Sequence, residues 1–342
     1  LQSYNHQYIN LTAAEIGVLW TSFLSNSMAE KVLRFMLLKV EDPDIKKVAE
    51  KAYLSSKTRL NYIENLFSQE EIPMPIAFSD EHVNEDAPDL FTDSFKLAYI
   101  LNVGKVGMLT YSAACSFSSR ADIRDFFSEC LQEDNTLYQE STNTLLNKGL
   151  YLRRPYMQIP DKAEFIESTR YLSGLNPFLQ ERSLNSIEIG HLSMNIETNQ
   201  IGVYMSLAFM QTAKSADVRE YMRKGHEIAK KHIKVFTETL LKDDIQSPVS
   251  PDHSVTNSTV APFSDKLMMF HYTVLTSAGI GNYASAAAAS QRTDLALNYE
   301  RLSAEIGKFA KDGATIMIKH KWLEQPPGTK NRYELAKQSN QQ

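Results

Sequence analysis

The sequence predicts an all-α protein: two tandem ferritin-like four-helix bundles, each with a long crossover between its second and third helices. Three observations carry this. The chain echoes itself, Leu11-Thr-Ala-Ala-Glu15-Ile16-Gly17 reappearing as Leu184-Asn-Ser-Ile-Glu188-Ile189-Gly190. Its apolar residues follow a three-four helical rhythm, with no strand-like alternation. Short and long connections recur at the same places in both copies.

Glu15 and Glu188 lie 173 residues apart, and the same spacing pairs Asn26 with Asn199, Asp44 with Asp217, Lys57 with Lys230 and Pro75 with Pro248. One residue then drops out. A spacing of 172 pairs Phe91 with Phe263, Gly107 with Gly279, Tyr111 with Tyr283, Arg120 with Arg292 and Glu133 with Glu305. A period this long makes whole domains, not solenoid units. The expected domains are residues 11–150 and 183–327, with a linker over 151–182.

The first four helices are expected near 12–40, 43–68, 93–117 and 120–148. Thr12-x-x-Glu15 is a capping box, and Ile16, Leu19 and Phe23 line one face of the first helix. Asp42 caps the second, with Pro43 in the first helical position. Thr92 caps the third. The second four are expected near 185–213, 216–241, 265–289 and 292–319. Asn185-x-x-Glu188 resembles a capping box, Ser215 and Ser264 stand at caps, and Leu295, Leu302, Ile306, Phe309 and Ile316 mark the inner face of the last helix.

Connections of a few residues make the first and second, and the third and fourth, helices antiparallel neighbours. The second-to-third connections run from Glu70 to Phe91 and from Asp243 to Pro262. Pro73, Pro75, Pro88, Pro248, Pro251 and Pro262 keep them from being helical. A helix of about 26 residues is about 39 Å long, and twenty extended residues reach about 66 Å. The third helix can therefore lie parallel to the second. The linker holds Arg153-Arg154-Pro155, Pro160 and Leu175-Asn176-Pro177, with a short helix expected near Ala163 to Tyr171. The polar end, Gln338-Ser339-Asn340-Gln341-Gln342, is expected to fray.

Composition narrows the partners. In 342 residues, 43% are apolar and 23% charged, ordinary globular usage. A net charge of −5 argues against a nucleic-acid partner. No uninterrupted apolar run reaches the ~18 residues of a membrane helix. Leu1 to Asn10 lack the cationic start and apolar stretch of a signal peptide, so the expected location is the cytoplasm. Cys115 and Cys130 are offset by about 10 Å along their helices, too far for a disulfide, and are expected to be small core residues. A thiol nucleophile is not expected, since His6 and His82 are the only histidines of the first half and neither is in a predicted helix.

Di-iron and di-manganese bundles take a Glu from each of two helices and Glu-x-x-His from each of the other two. Here the third helices carry no acid between Asp93 and Asp122 or between Asp265 and Asp294, and neither fourth helix contains Glu-x-x-His. A standard ferroxidase-type centre is rejected. Phosphate-loop and His-Glu-x-x-His motifs are also missing. A weaker metal signal is the histidine asymmetry. His191, His226, His232, His253, His271 and His320 fall in the second half, and Val18, Tyr53, Arg59, Tyr99 and Lys148 stand at first-half counterparts. Glu188-Ile-Gly-His191 puts two ligands on one helical face. His232 shares a stripe with Ile228, Val235 and Phe236, and His271 with Leu267 and Val274. Glu188, His191, His232 and His271 thus form a candidate site in the second bundle for iron, manganese or zinc.

A plainer reading competes. Glu188, like Glu15, is the third residue of a capping box. His232 is a buried histidine satisfied by hydrogen bonds, His271 a packed ring, and His226 part of a solvated face. Asn26 and Asn199, with Ser22 and Asn195 one turn earlier, form a polar inner stripe that fixes helix register or lines a small pocket. Glu133 and Glu305 pair with bases or face water. Gly104-x-x-Gly107 and Gly279-Ile-Gly281 give the third helices a small-residue face, suited to contact between bundles or between copies in a homo-oligomer.

Phe-Ser-Asp-Lys-Leu-Met-Met-Phe-His271, Gly279-Ile-Gly-Asn-Tyr283, Asp217-Val-Arg219, Asp122-Ile-Arg124 and Asp312-Gly-Ala-x-Ile-Met-Ile318 resemble an uncharacterised tandem ferritin-like family of spore-forming bacteria. That family is a domain of unknown function, sometimes labelled spore-coat-like. The resemblance spans nearly the whole chain. It implies paired ferritin-like bundles and a link to sporulation, with the spore or spore coat as a location, and it brings no catalytic residues. The leading expectation is a non-enzymatic structural or protective protein without a cofactor. The alternatives are a metal-binding protein or oxidoreductase using the second bundle alone, and a small-ligand-binding bundle centred on Asn199.

Overall fold

Capping residues and prolines divide the chain into helices close to the expected bounds. A computed structural model describes residues 9–175, 181–247 and 254–333. The Asn176-Pro177 part of the linker, Pro248, Pro251, His253 and the Gln338–Gln342 end lie outside the described residues. Within them are eight α-helices and no strand. These are α1 Ala13–Lys39, α2 Pro43–Gln69, α3 Asp93–Phe117, α4 Ala121–Asn147, α5 Ser186–Thr212, α6 Ala216–Leu241, α7 Asp265–Ala289 and α8 Thr293–Lys319. Thr12 and Asn185 both close full capping boxes. Ser215 stands at its cap, but its hydroxyl bonds Asp217 rather than a helix N–H.

One expected element is absent. Ala163 to Tyr171 forms no α-helix, and only a 3₁₀ turn at Thr169–Leu172 is present. Phe165 is 97% exposed and Ile166 is also exposed, so the segment has no face to bury. A short helix without tertiary packing is marginal in water.

In each half the helices pair as α1 with α2, α3 with α4, α5 with α6, and α7 with α8. The carboxylate opening each third helix holds the turn between the first and second helices of its half. Asp93 accepts the amides of Glu41 and Asp42 at 3.0 and 2.8 Å, and Asp265 those of Lys214 and Ser215 at 2.9 and 2.7 Å.

The halves meet along a seam built from the two long connections. Val83 bridges Phe263 and Phe91 bridges Val255, both antiparallel. Asn84 donates to Pro262 O at 2.8 Å and Thr256 to Leu90 O at 3.0 Å. Ser264 donates to His82 O at 2.9 Å and Thr92 to Ser254 O at 3.2 Å. Every one of these pairs is matched by its partner 172 residues along, the mark of an approximate two-fold axis. Tyr99 and His271, themselves matched, lie on that axis and hydrogen-bond each other at 2.9 Å. Around them α1 packs on α7 and α3 on α5.

Apolar burial follows the same plan. One core runs through both halves, joining Phe35, Leu90, Phe91 and Phe95 to Phe209, Phe263 and Leu267. The Phe35 and Phe263 rings meet edge-on, 5.3 Å between centroids. Two smaller cores fill the outer ends, one with Leu19, Phe67 and Phe127 and one with Leu192, Phe236 and Tyr299.

Because the largest core is shared, the halves are expected to unfold together. Phe35→Ala should remove about 3–5 kcal/mol, the cost of emptying a filled aromatic site. Urea unfolding followed by circular dichroism should then show one transition at a lower midpoint. Two transitions, with that of the second half unmoved, would contradict the shared core.

Candidate functional site

Buried polar groups need partners, and here every helix of a half contributes to a shared network. In the first half the contributors are Asn26 of α1, Arg59 of α2, Tyr111 of α3, and Glu133 and Asp134 of α4. Asn26 Nδ2 donates to Ser22 O at 2.8 Å and to Tyr111 Oη at 3.0 Å. Arg59 donates to Tyr111 Oη at 3.3 Å, Asp134 Oδ1 at 2.7 Å, Glu133 Oε2 at 2.9 Å and Cys130 O at 3.1 Å. Arg59 is 5% exposed and Asp134 2%. Burial raises the Asp134 carboxyl to about 6 despite the guanidinium beside it. Burial works against the Arg59 charge too, but Tyr111 and Asp134 hold its pKa above the ordinary value.

The small residues of α3 make room for this pair. A Cβ on Gly107 would lie 1.6 Å from Asp134 Oδ2, and one on Gly104 would lie 3.1 Å from Asp134 O. This corrects the expectation for the Gly104-x-x-Gly107 face, which is taken up by α4 of its own half. The third helices do meet across the seam, but through Tyr99 and His271. A Cβ on Gly279 would lie 3.7 Å from Ile306 of α8, and one on Gly281 would meet nothing within 4 Å.

The second half repeats the network at matched positions with different chemistry. Asn199 Nδ2 donates to Asn195 O at 2.7 Å and to Tyr283 Oη at 2.8 Å. His232 Nδ1 lies 2.8 Å from Tyr283 Oη, and its Nε2 lies 3.2 Å from Glu305 Oε2. One proton assignment satisfies the chain: Tyr283 donates to Nδ1, and Nε2–H donates to Glu305. Lys231 reaches the same carboxylate at 2.8 Å. Burial lowers the His232 pKa, with Glu305 opposing. Ile306 stands where the first half has Asp134, so the second half has no acid at that position, and His232 is held by Tyr283 and Glu305 instead.

The structure does not bring the four metal candidates together. Glu188 is buried at the start of α5, where Arg182 donates to both oxygens at 2.8 Å and the amides of Asn185 and Arg292 add bonds at 3.0 Å. Burial works against the Glu188 charge, but these partners hold its pKa below the usual value. Its match, Glu15, accepts the amides of Thr12, Ser119 and Arg120 at 2.7 Å each. Burial opposes that charge too, yet the amides of Arg120, Thr12 and Ser119 bring its pKa down to about 2. These acids are more than caps, since they also tie their helix to the turn before α4 or α8. His191 leaves Nδ1 buried and unpaired, and burial, then Arg154, lowers its pKa. Asn195 donates to His191 O at 2.9 Å. His232 belongs to the Tyr283 network, and His271 sits at the seam. Among the described residues no three His, Cys, Asp or Glu are placed to hold a metal ion. The set does not fit a transition-metal centre.

Two smaller expectations change, and two residues were missed. His226 is half-buried, with Nδ1 3.1 Å from Val203 O, because α6 packs its face on α5. Cys115 is half-buried beside Ser128, whereas Cys130 is in the core, and both are free. Asp134 and Asn102 were not singled out by the sequence, although spacing alone sets Asp134 against Ile306 and Asn102 against Val274.

Comparison with known proteins adds a family. The family described as "Protein of unknown function (DUF3231)" matches twice, over residues 1–163 and 173–335. Curated proteins yield no match. A solved structure from Bacillus halodurans C-125, called a "putative spore coat protein", is 22% identical with a TM-score of 0.42, covering 45% of this chain and 100% of that one.

Burial drives the His271 pKa down to about 3. Below the ordinary 6.5 the unfolded chain therefore binds a proton that the folded chain refuses, and stability falls as the pH drops towards 3. At pH 5 this costs about 2 kcal/mol. Asp134 has the opposite sign, its raised pKa adding stability as the pH falls below about 6. His271→Phe removes the first effect and leaves the second. Urea midpoints at pH 7 and pH 5 should show the variant losing less stability on acidification than the parent. Equal losses would contradict a buried neutral His271.

Proposed function

The chain belongs, in both halves, to the DUF3231 family of proteins of unknown function, and from that premise we propose a non-enzymatic structural or protective role. On this reading residues 11–150 and 183–327 are two ferritin-like bundles, residues 151–182 link them, and the seam locks them into one rigid body. The observation that carries it is that the residues of the two central networks spend their polar atoms on one another. Asn26, Tyr111, Arg59 and Asp134 are bonded to one another, as are Asn199, Tyr283, His232 and Glu305. Arg59 also places a fixed positive charge where a bundle metal would need neutral or anionic donors.

The crossover is supported by helix directions. Asp44 with Lys148, Lys51 with Glu140 and Arg59 with Glu133 set α2 antiparallel to α4. Gly107 with Asp134 and Cys115 with Ser128 set α3 antiparallel to α4. Hence α2 and α3 share a direction. Asp217 with Lys319 and Lys231 with Glu305, set beside Tyr272 with Phe309 and Tyr283 with Tyr299, repeat the argument for α6 and α7.

The sequence resemblance to a family of spore formers extends the proposal to protection of the spore. No specific observation favours the runner-up, an oxidoreductase with iron, manganese or zinc in the second half. It would have to draw Glu188 away from Arg182 and His271 away from Tyr99.

Elemental analysis of untagged protein purified without chelator, beside His232→Ala, tests the first part. Iron, manganese and zinc should all stay far below one equivalent in both samples. A near-stoichiometric metal that disappears in the variant would overturn the reading. Immunodetection in cell fractions tests the second part, with the protein expected in purified spores and its confinement to vegetative cells counting against it.

A further inference from the structure

The polar network of the first half does not fill its interior. A cavity of about 130 Å³ lies among α1, α2, α3, α4 and α7. Arg59 and Asp134 line one part, and Tyr99 and His271 of the seam another. Val103 and Val106 of α3 and Val274 and Leu275 of α7 supply apolar wall. Thr21 of α1 and Thr110 of α3 line it and are exposed, which puts the mouth between those helices.

One polar side chain in the wall has hydrogen-bonding capacity open to this space. Asn102 is 9% exposed, and its amide makes no hydrogen bond among the described residues. His271 spends Nε2 on Tyr99, and its unpaired Nδ1 is sealed from the cavity, so the ring serves only as wall. A hydroxyl on a guest can bond the Asn102 amide in place of the water that otherwise hydrates it.

Size and charge define the ligand. A cavity of about 150 Å³ accommodates benzene. Arg59 is already neutralised by Asp134, and His271, its pKa lowered by burial, is neutral at pH 7. A charged guest would lose its hydration without gaining a counter-ion. We propose that this cavity binds an uncharged small molecule of the phenol type, its ring against the valines and its hydroxyl on Asn102. This goes beyond the structural role and is independent of it. The corresponding space in the second half is about 60 Å³, too small for such a ring. Because His271 also belongs to the seam, the bound ligand braces the contact between halves and raises the unfolding midpoint.

The test is calorimetric titration of the full chain with phenol, benzene and benzoate at pH 7, with thermal unfolding alongside. Phenol should bind saturably at one site per chain and raise the unfolding temperature, benzene should bind more weakly, and benzoate should not bind. Asn102→Val installs the residue found at the matched position of the second half. It should weaken phenol about tenfold and leave benzene unchanged, the signature of one lost hydrogen bond. Val106→Phe, confirmed folded by circular dichroism, should abolish both. Failure of the folded parent to bind phenol or benzene, as a merely water-filled cavity would give, overturns the proposal. So does an Asn102→Val variant that binds phenol as the parent does.

Discussion

Tyr99 and His271 occupy the same position in the two halves and hydrogen-bond each other, and the reciprocal bridges Val83 to Phe263 and Phe91 to Val255 make the axis between them an approximate two-fold. That geometry constrains the rest of the molecule. The axis brings the two long connections side by side, where each gives the other backbone bonds that an isolated loop would have to take from water. It also lets Phe35, Phe209 and Phe263 share one core. Residues of both halves are buried in this one core.

Away from the seam, each half solves the same problem with different chemistry. A long polar residue enters from the second helix and must find partners. Arg59 cannot lose its charge, so it requires Asp134, and Asp134 in turn requires the absence of a side chain at Gly107. His232 can stay neutral. It needs only Tyr283 and Glu305, and Ile306 can occupy the place of the acid. The tyrosine serves both networks because its hydroxyl can accept from Arg59 or donate to His232, and the asparagine bonds that hydroxyl in each half. The same economy appears at the outer ends, where Glu15 and Glu188 each cap a helix and hold a distant turn.

The helices were legible because their signals are local. Capping boxes at Thr12 and Asn185, the proline at 43 and the apolar rhythm act within a few residues, and observed bounds fall within a residue or two of those expected. The candidate site was only partly legible. The matched asparagines, tyrosines and glutamates did mark a polar interior. The histidine asymmetry suggested a cluster, but His271 faces the other half and Glu188 faces Arg182. The glycines of α3 suggested an external contact and instead admit a carboxylate from the next helix. In each instance the residue type was suggestive, but its partner came from a different part of the chain.

From the residues alone came the all-α class, the positions of the helices, the doubled pattern, and the pairing of neighbouring helices through connections too short for any other arrangement. Periodicity, capping and chain length are properties of contiguous sequence, and so they could be read there. Only the tertiary structure decided that the halves share a core, that Tyr99 meets His271, that Asp134 neutralises Arg59, and that Asn102 lines a cavity without a hydrogen-bond partner among the described residues. Those outcomes depend on how helices distant in sequence are oriented and spaced. Packing against the opposite half sets that, and one-dimensional spacing does not encode it.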